Sequence, residues 1–141
     1  MHASEIAPDG AAAVQGWVSN IYEVEGKYDQ SVAADLKGIE VYATPQQVHL
    51  LRSGYEKSGW KGYREAHLQY SLSQIDHQCA SYDIAEDYRA LGRVDEAFDW
   101  FDRAFDERCI FMMALNADPR HDGIRSDPRF HELLRRTNLV H

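Results

Sequence analysis

The sequence predicts an all-α protein built from stacked helical hairpins. A tyrosine followed four residues later by a glycine recurs every 33 residues, with the tyrosines at positions 22, 55 and 88. An interval of this length is typical of repeats in which each unit is a pair of helices. Residues 94–105 add a second observation, because their apolar side chains recur at threes and fours, as on one face of a helix.

Residues 1–10 are polar and are expected to form a loose lead-in to one folded domain over residues 11–141. In the predicted organisation, three hairpins and a closing segment fill this domain. The expected repeats cover residues 12–44, 45–77 and 78–110, and the cap covers residues 111–141.

The first repeat opens with a helix whose apolar residues line one face. These residues, at i, i+3, i+4, i+7 and i+8, are Val14, Trp17, Val18, Ile21 and Tyr22. Gly26 is expected to end this helix, because glycine takes a left-handed backbone without steric cost. A second helix follows, with Val32, Leu36 and Ile39 on its apolar side.

The second repeat begins at Thr44, which precedes Pro45 and stands three residues before Gln47. This order is typical of a capping box, in which the Thr and Gln side chains satisfy backbone N–H groups at a helix start. The helix is expected to end at Gly59, and a partner helix is expected over residues 61–75.

The third repeat is expected to have one helix under way by Ile84 that ends at Gly92, and a second helix from Val94. One face of the second helix is apolar and another carries four acids, Asp95, Asp99, Asp102 and Asp106. We interpret this acidic stripe as a solvated outer face, with a docking site for a cationic partner as the alternative.

The closing segment starts with an apolar patch over residues 110–113, expected to pack as core under the last helix. If this patch were exposed, dimerisation through it would become the leading idea. The dipeptide Asp-Pro occurs at positions 118 and 127, and each copy predicts a helix cap followed by a first-turn proline. The final helix is expected to keep Arg135 and Arg136 outside, because the last repeat needs a polar outer surface.

Charge and composition exclude several classes of function. The formal net charge is −8, and no basic stripe could neutralise a phosphate backbone, so no nucleic acid is expected as a partner. No run approaches the roughly 20 apolar residues that span a bilayer, and residues 1–5 lack the features of a secretory signal. No membrane association is therefore expected, and the predicted location is the cytoplasm. Cys79 and Cys109 are predicted to be reduced thiols rather than a disulfide.

The third repeat resembles a tetratricopeptide repeat, because Tyr88, Gly92, Ala97, Phe101 and Ala104 stand at the relative positions of that consensus. Residues 82–139 and 54–63 are similar to the C-terminal tetratricopeptide segment of bacterial proteins, where the repeats follow a winged-helix, propeller or protein-kinase domain. The resemblance implies a right-handed superhelix of three hairpins plus a C-terminal capping helix. It also implies that a peptide or protein binds on the concave face.

Repeats one and two are degenerate copies of this pattern. The small residue at position 97 is replaced by Ser31 and Arg64 in the earlier repeats, and the aromatic residue at position 101 is replaced by Asp35 and Leu68.

The resemblance also implies that the first helix of each pair lines the binding groove. The implied binding residues are Asn20, Glu23, His49, Ser53, Glu56, Tyr82, Glu86 and Arg89. The alternative is that they form an ordinary solvated face. Most of them are neutral or acidic, so the expected partner is a peptide or protein of neutral to basic character.

The predicted function is a non-catalytic protein–protein interaction module, for which we expect no catalytic residue, cofactor or metal. Asp118, His121 and Asp122 lack the spacing of a zinc site and indicate a hydrogen-bonded turn. Two alternatives stay open. One is a small-ligand-binding protein or small enzyme with a pocket near His49 and Tyr82. The other is a self-associating module, which makes a homodimer possible.

Overall fold

The computed structural model describes residues 8–138, which form helices and the segments that join them, with no strand in this range. The predicted all-α class is therefore confirmed. The helices are α1 (Pro8–Val24), α2 (Tyr28–Ile39), α3 (Pro45–Ser73), α4 (Ala80–Ala90), α5 (Val94–Asp106) and α6 (Pro128–Asn138). Two 3₁₀ helices, η1 (Ile110–Ala114) and η2 (Pro119–Ile124), lie between α5 and α6. Residues 1–7 of the predicted lead-in lie outside the described residues, and residues 8–10 lie within α1.

The described chain divides into two compact units that meet in the sequence between Tyr63 and Arg64, within α3. We call them the N-terminal unit and the C-terminal unit. Within residues 8–138, no helix combines the length and the apolar character that a membrane crossing needs.

Glycines end the first helix of repeats one and three, as predicted. Gly26 and Gly92 adopt φ angles of 74° and 77°. In the first repeat the N–H of Lys27 donates to the Tyr22 carbonyl over 2.9 Å, and the equivalent residues 93 and 88 form the same bond. This pattern is the Schellman closure of a helix end. The repeated tyrosine thus supplies the carbonyl that closes the turn.

The second repeat folds back at Gly59, although α3 is helical on both sides of it. Ser58 and Gly59 have non-helical backbone angles, with φ of −142° and 62°. A Cβ atom built on Gly62 would lie 2.2 Å from the carbonyl oxygen of Gly54. Two residues that far apart in a straight helix would be about 12 Å apart. The predicted turn at Gly59 is therefore present as a tight bend.

The capping box predicted at the start of α3 is confirmed. The Gln47 N–H donates to the Thr44 hydroxyl over 3.1 Å, and the Thr44 N–H donates to the Gln47 side-chain oxygen over 2.8 Å. Both Asp-Pro dipeptides also cap as predicted, because Asp118 and Asp127 each accept a bond of 2.9 Å from the backbone N–H two residues on.

α1 and α2 pack through small residues. The Ser19 hydroxyl donates to the Ser31 carbonyl over 2.8 Å, and the Ser31 hydroxyl donates to the Ser19 carbonyl over 2.9 Å. A Cβ atom on Gly38 would lie 3.0 Å from the Ala12 carbonyl oxygen. The contact between these two helices is therefore close and partly polar.

The core of the C-terminal unit lies between α4, α5 and the segments that follow them. Its fully buried side chains include Ala85, Phe101, Leu115, Phe130 and Leu133. A cluster of buried apolar side chains thus fills the repeat pattern in this third repeat and its cap.

Two degenerate positions of the earlier repeats have polar partners. Asp35, which replaces an aromatic residue, accepts a hydrogen bond from the hydroxyl of the fully buried Tyr63. Arg64, which replaces a small residue, lies 2.8 Å from the buried carboxylate of Asp87. A polar pair in each case replaces the apolar packing of the consensus.

Cys79 and Cys109 form a disulfide with their Cα atoms 5.1 Å apart, so the prediction of reduced thiols is wrong. Cys79 immediately precedes α4 and Cys109 follows α5. The two ends of an antiparallel helical hairpin meet, which brings the thiols together. Closing a loop of 30 residues disfavours the unfolded chain by about 3–4 kcal/mol in the chain-entropy account.

Candidate interaction surface

α1 turns its large apolar side chains away from the rest of the N-terminal unit. Val14, Trp17, Ile21 and Val24 are 40%, 63%, 60% and 49% exposed. We call these four residues the α1 stripe. The predicted apolar face exists, but most of it points to solvent because the opposite side of α1 packs on α2 through small residues.

The stripe could have been located from the sequence. The small residues Ala12 and Ser19 lie seven residues, about two helical turns, apart on the other side of α1, and small residues on one helix face permit close helix packing. The composition of both sides of α1, rather than the apolar residues alone, indicates which side packs on α2.

Five of the implied binding residues lie in the N-terminal unit, and none of them is buried. Asn20 and Glu23 are neighbours at i and i+3 on α1. His49, Ser53 and Glu56 follow at i, i+4 and i+7 in the first half of α3, so they share one face of that helix. His49 and Glu56 are exposed and the other three are half-buried.

The three implied binding residues of the C-terminal unit are engaged within the unit. Tyr82 is buried, and its ring lies edge-on to Phe101 at 5.7 Å. Glu86 is also buried, and Arg89 donates to its carboxylate over 3.0 Å. The expectation of side chains that face an open groove does not fit Tyr82 and Glu86, because the segment after α5 folds over this side of α4.

η2 supplies two further partners to the Glu86 carboxylate. Arg120 lies 3.1 Å away and the Nε2 atom of His121 lies 2.5 Å away. Arg120 also pairs with Asp118 over 2.7 Å. The result is a buried cluster of charges that fastens η2 to α4.

Both ring nitrogens of His121 face hydrogen-bond acceptors in this cluster. Its Nδ1 lies 2.7 Å from the Leu115 carbonyl oxygen, which can only accept a hydrogen bond. Its Nε2 faces the ionised Glu86 carboxylate, which is also only an acceptor. The His121 ring stands edge-on to Phe101 and Phe130, with centroids 5.7 and 6.1 Å away.

The ionised state of Glu86 follows from its neighbours. Burial by itself would raise the pKa of this carboxyl, but the charges of Arg120, Arg89 and His121 hold the pKa well below its ordinary value of 4.5. The pKa of the half-buried Asp118 is also lowered, because the hydrogen bonds and the charge of Arg120 outweigh the effect of burial, which alone would raise it. Burial, followed by the negative charge of Glu86, raises the pKa of Tyr82.

A second buried cluster surrounds Asp87. Its carboxylate contacts Arg64 at 2.8 Å, His67 at 2.8 Å and the Ser71 hydroxyl at 3.1 Å. Ser71 and Asp87 both face the same nitrogen of His67, Nδ1. A catalytic triad needs the acid and the nucleophile on opposite nitrogens. This cluster therefore compensates the buried Arg64 and lacks the geometry of an activated serine.

The acidic stripe of α5 binds the chain's own closing helix. Arg129 lies 2.8 Å from Asp95, and Arg136 lies 2.8 Å from Asp102 and 3.4 Å from Asp106. The predicted outer placement of Arg136 is therefore corrected: this side chain turns back to α5, with its guanidinium 4.3 Å from the centre of the Phe105 ring. Arg135 pairs with Glu132 on α6.

The patch over residues 110–113 is largely exposed, contrary to the expected core position, so dimerisation through it stays an open alternative. Ile110, Phe111 and Met113 face solvent, and only Met112 is buried. Because η1 is a short 3₁₀ turn, it cannot bury all four side chains on one side.

No group of three or more His, Cys, Asp or Glu side chains in the described part of the chain is arranged to hold a metal ion. The residues of the densest sequence cluster, Asp118 and His121, are taken up by Arg120 and Glu86. No protein-family model matches the sequence, and neither a curated protein nor a solved structure matches it.

Proposed function

We propose that the chain is a non-catalytic protein-interaction module. Its helical hairpins would follow the tetratricopeptide plan, a right-handed superhelix that binds a peptide or protein segment on its concave face. The binding residues of this proposal are Asn20, Glu23, His49, Ser53 and Glu56.

One observation carries the proposal. All five side chains lie on the first helices of their repeats and none of them is buried, whereas the equivalent side of α4 is covered by η2. The binding face proposed here therefore belongs to the N-terminal unit. Arg89 is left out because it is committed to the buried Glu86.

The partner is expected to be neutral to basic. Two of the five residues are glutamates and none is Lys or Arg, so a carboxylate-rich ligand would meet no positive charge there. Backbone groups of an extended segment could bond to Asn20 and Ser53, which offer both donors and acceptors.

The cytoplasmic location stays a prediction. The disulfide between Cys79 and Cys109 is an observation against it, because the cytosol keeps most protein thiols reduced.

The test is selection of peptides from a displayed random library on the immobilised chain, followed by fluorescence polarisation with the selected peptides. The variant Asn20→Ala/His49→Ala/Glu56→Ala is expected to weaken binding at least about tenfold. Lys37→Ala, an exposed change on α2, serves as the control and is expected to bind as the wild type does.

Charge reversal sharpens the test. Glu56→Lys is expected to shift selection from neutral or basic peptides towards acidic ones. Selected peptides that bind the triple variant as tightly as the wild type would contradict the proposed face, as would a library that yields no binder.

A further inference from the structure

The intervals between the residues of the α1 stripe are the same whether the helix is followed from its N-terminus or from its C-terminus. Its members are separated by three, four and three residues, the interval pattern of the seam between two paired helices. Turning a second α1 end for end about Ser19 brings Val14 opposite Val24 and Trp17 opposite Ile21. The stripe is thus complementary to itself in antiparallel register, where each indole meets a smaller side chain.

Charge favours the same arrangement. Glu23 is the single charged residue in the range 10–24. In antiparallel register it lies beside Gln15 of the other copy, whereas parallel register would set Glu23 beside Glu23. Two copies that each carry a net charge of −8 repel over most of their surfaces, so a nearly uncharged helix face is where they can meet.

The area of the stripe fits a weak, reversible contact. A large side chain can bury on the order of 150–250 Å². With the exposed fractions given above, the four side chains of the stripe therefore present about 400 Å² of accessible surface per copy. An area of this size is typical of the largest apolar patch on a monomeric protein, and such patches are often functional. Two copies would bury about 800 Å² through the stripe, less than a permanent interface needs.

We propose that the α1 stripe is a self-association surface that binds the stripe of a second copy of this chain in antiparallel register. The proposal does not rest on the proposed peptide-binding function: Glu23 flanks the stripe, but the four residues of the stripe are not among the five polar residues of that face. Either proposal can fail while the other stands.

Sedimentation equilibrium over a wide range of protein concentrations measures the association. The wild type is expected to pass from monomer to dimer, and Trp17→Glu is expected to weaken dimerisation at least about tenfold. Trp17 is exposed in a single chain, so this variant should keep the wild-type circular dichroism. The matched control is Leu50→Glu, which places the same charge on an exposed apolar residue of α3 and is expected to dimerise like the wild type.

Cysteine cross-linking tests the register, with the native disulfide left intact. A Val14→Cys chain mixed with a Val24→Cys chain is expected to form the mixed dimer, and neither chain alone should cross-link efficiently. Efficient cross-linking of Val14→Cys with itself would overturn the antiparallel register. A wild type that stays monomeric at millimolar concentration would overturn the proposal, as would a dimer that survives Trp17→Glu but is lost in Phe111→Lys.

Discussion

At the residue scale, one helix end of the C-terminal unit is closed without glycine. Arg108 has a φ angle of 60°, and the N–H of Cys109 donates to the Ala104 carbonyl over 3.0 Å. This is the closure that glycine provides at positions 26 and 92. An L-residue in the left-handed region costs about 1–2 kcal/mol, and glycine avoids that cost.

Arg108→Gly is therefore expected to raise the free energy of unfolding by about 0.5–1 kcal/mol, measured by chemical denaturation under oxidising conditions. Arg108→Ala is the control, since it removes the same side chain but keeps the backbone strain. A stabilisation in Arg108→Ala that equals the one in Arg108→Gly would show that the side chain, and not the backbone angle, is responsible.

The buried pair of Arg64 and Asp87 gives a second residue-scale prediction. Removing only the acid takes away a counter-charge that lies 2.8 Å from the buried guanidinium of Arg64, so Asp87→Ala is expected to lower the free energy of unfolding by about 3–5 kcal/mol. Arg64→Ala/Asp87→Ala is expected to lose less than the two single changes combined. Simple additivity in denaturant melts would mean that the two side chains do not compensate each other.

At the scale of elements, the bend of α3 depends on how closely its two halves approach. The Cβ atom of an alanine at position 62 would overlap the Gly54 carbonyl oxygen, which belongs to the backbone and cannot rotate away. Gly62→Ala is therefore expected to destabilise the fold by about 2–3 kcal/mol. Gly16→Ala is the matched change in α1, where a Cβ atom meets nothing within 4 Å, and it is expected to stabilise by about 0.5–1 kcal/mol. Thermal melts that moved in the same direction would contradict the close approach.

The attachment of η2 to α4 should depend on pH through Glu86. Because the folded pKa of this carboxyl lies below its ordinary value of 4.5, its contribution is fully present above about pH 4.5 and is lost as the pH falls towards the folded pKa. Glu86→Gln is expected to be less stable than the wild type at neutral pH, with a difference that shrinks in acid. Denaturant melts from about pH 7 to pH 3 measure this difference. A difference that stays constant over this range would contradict the ionised Glu86.

At the scale of the whole molecule, the sequence predicts the structural features that depend on residues close together in the chain. The helix ends at Gly26, Gly59 and Gly92 and the capping box at Thr44 depend on bonds between residues a few positions apart, so short motifs identify them. The disulfide and the pairing of Glu86 with η2 join residues 30 to 35 positions apart. No local pattern specifies such contacts, because they depend on which helix faces reach each other after folding.

The residues of the candidate site also divide into those that sequence patterns place and those that depend on contacts between helices. From the sequence, helical spacing placed His49, Ser53 and Glu56 on one face of α3. It also grouped the apolar residues of α1 on one face of that helix. Which side of α1 would be covered was not predictable from the apolar residues alone, since the Ser19–Ser31 bonds that fix its packing join two different helices. Tyr82 and Glu86 were assigned to an open face because nothing in the sequence showed that η2 would fold over α4.

In the single chain, α1 turns its apolar stripe to solvent. The most direct measurement is tryptophan fluorescence of the variant Trp60→Phe/Trp100→Phe, which leaves Trp17 as the one indole, at a dilution where the protein is monomeric. Because the Trp17 side chain is exposed, we expect a red-shifted emission that acrylamide quenches readily. A blue-shifted emission that is protected from acrylamide in the dilute monomer would contradict it.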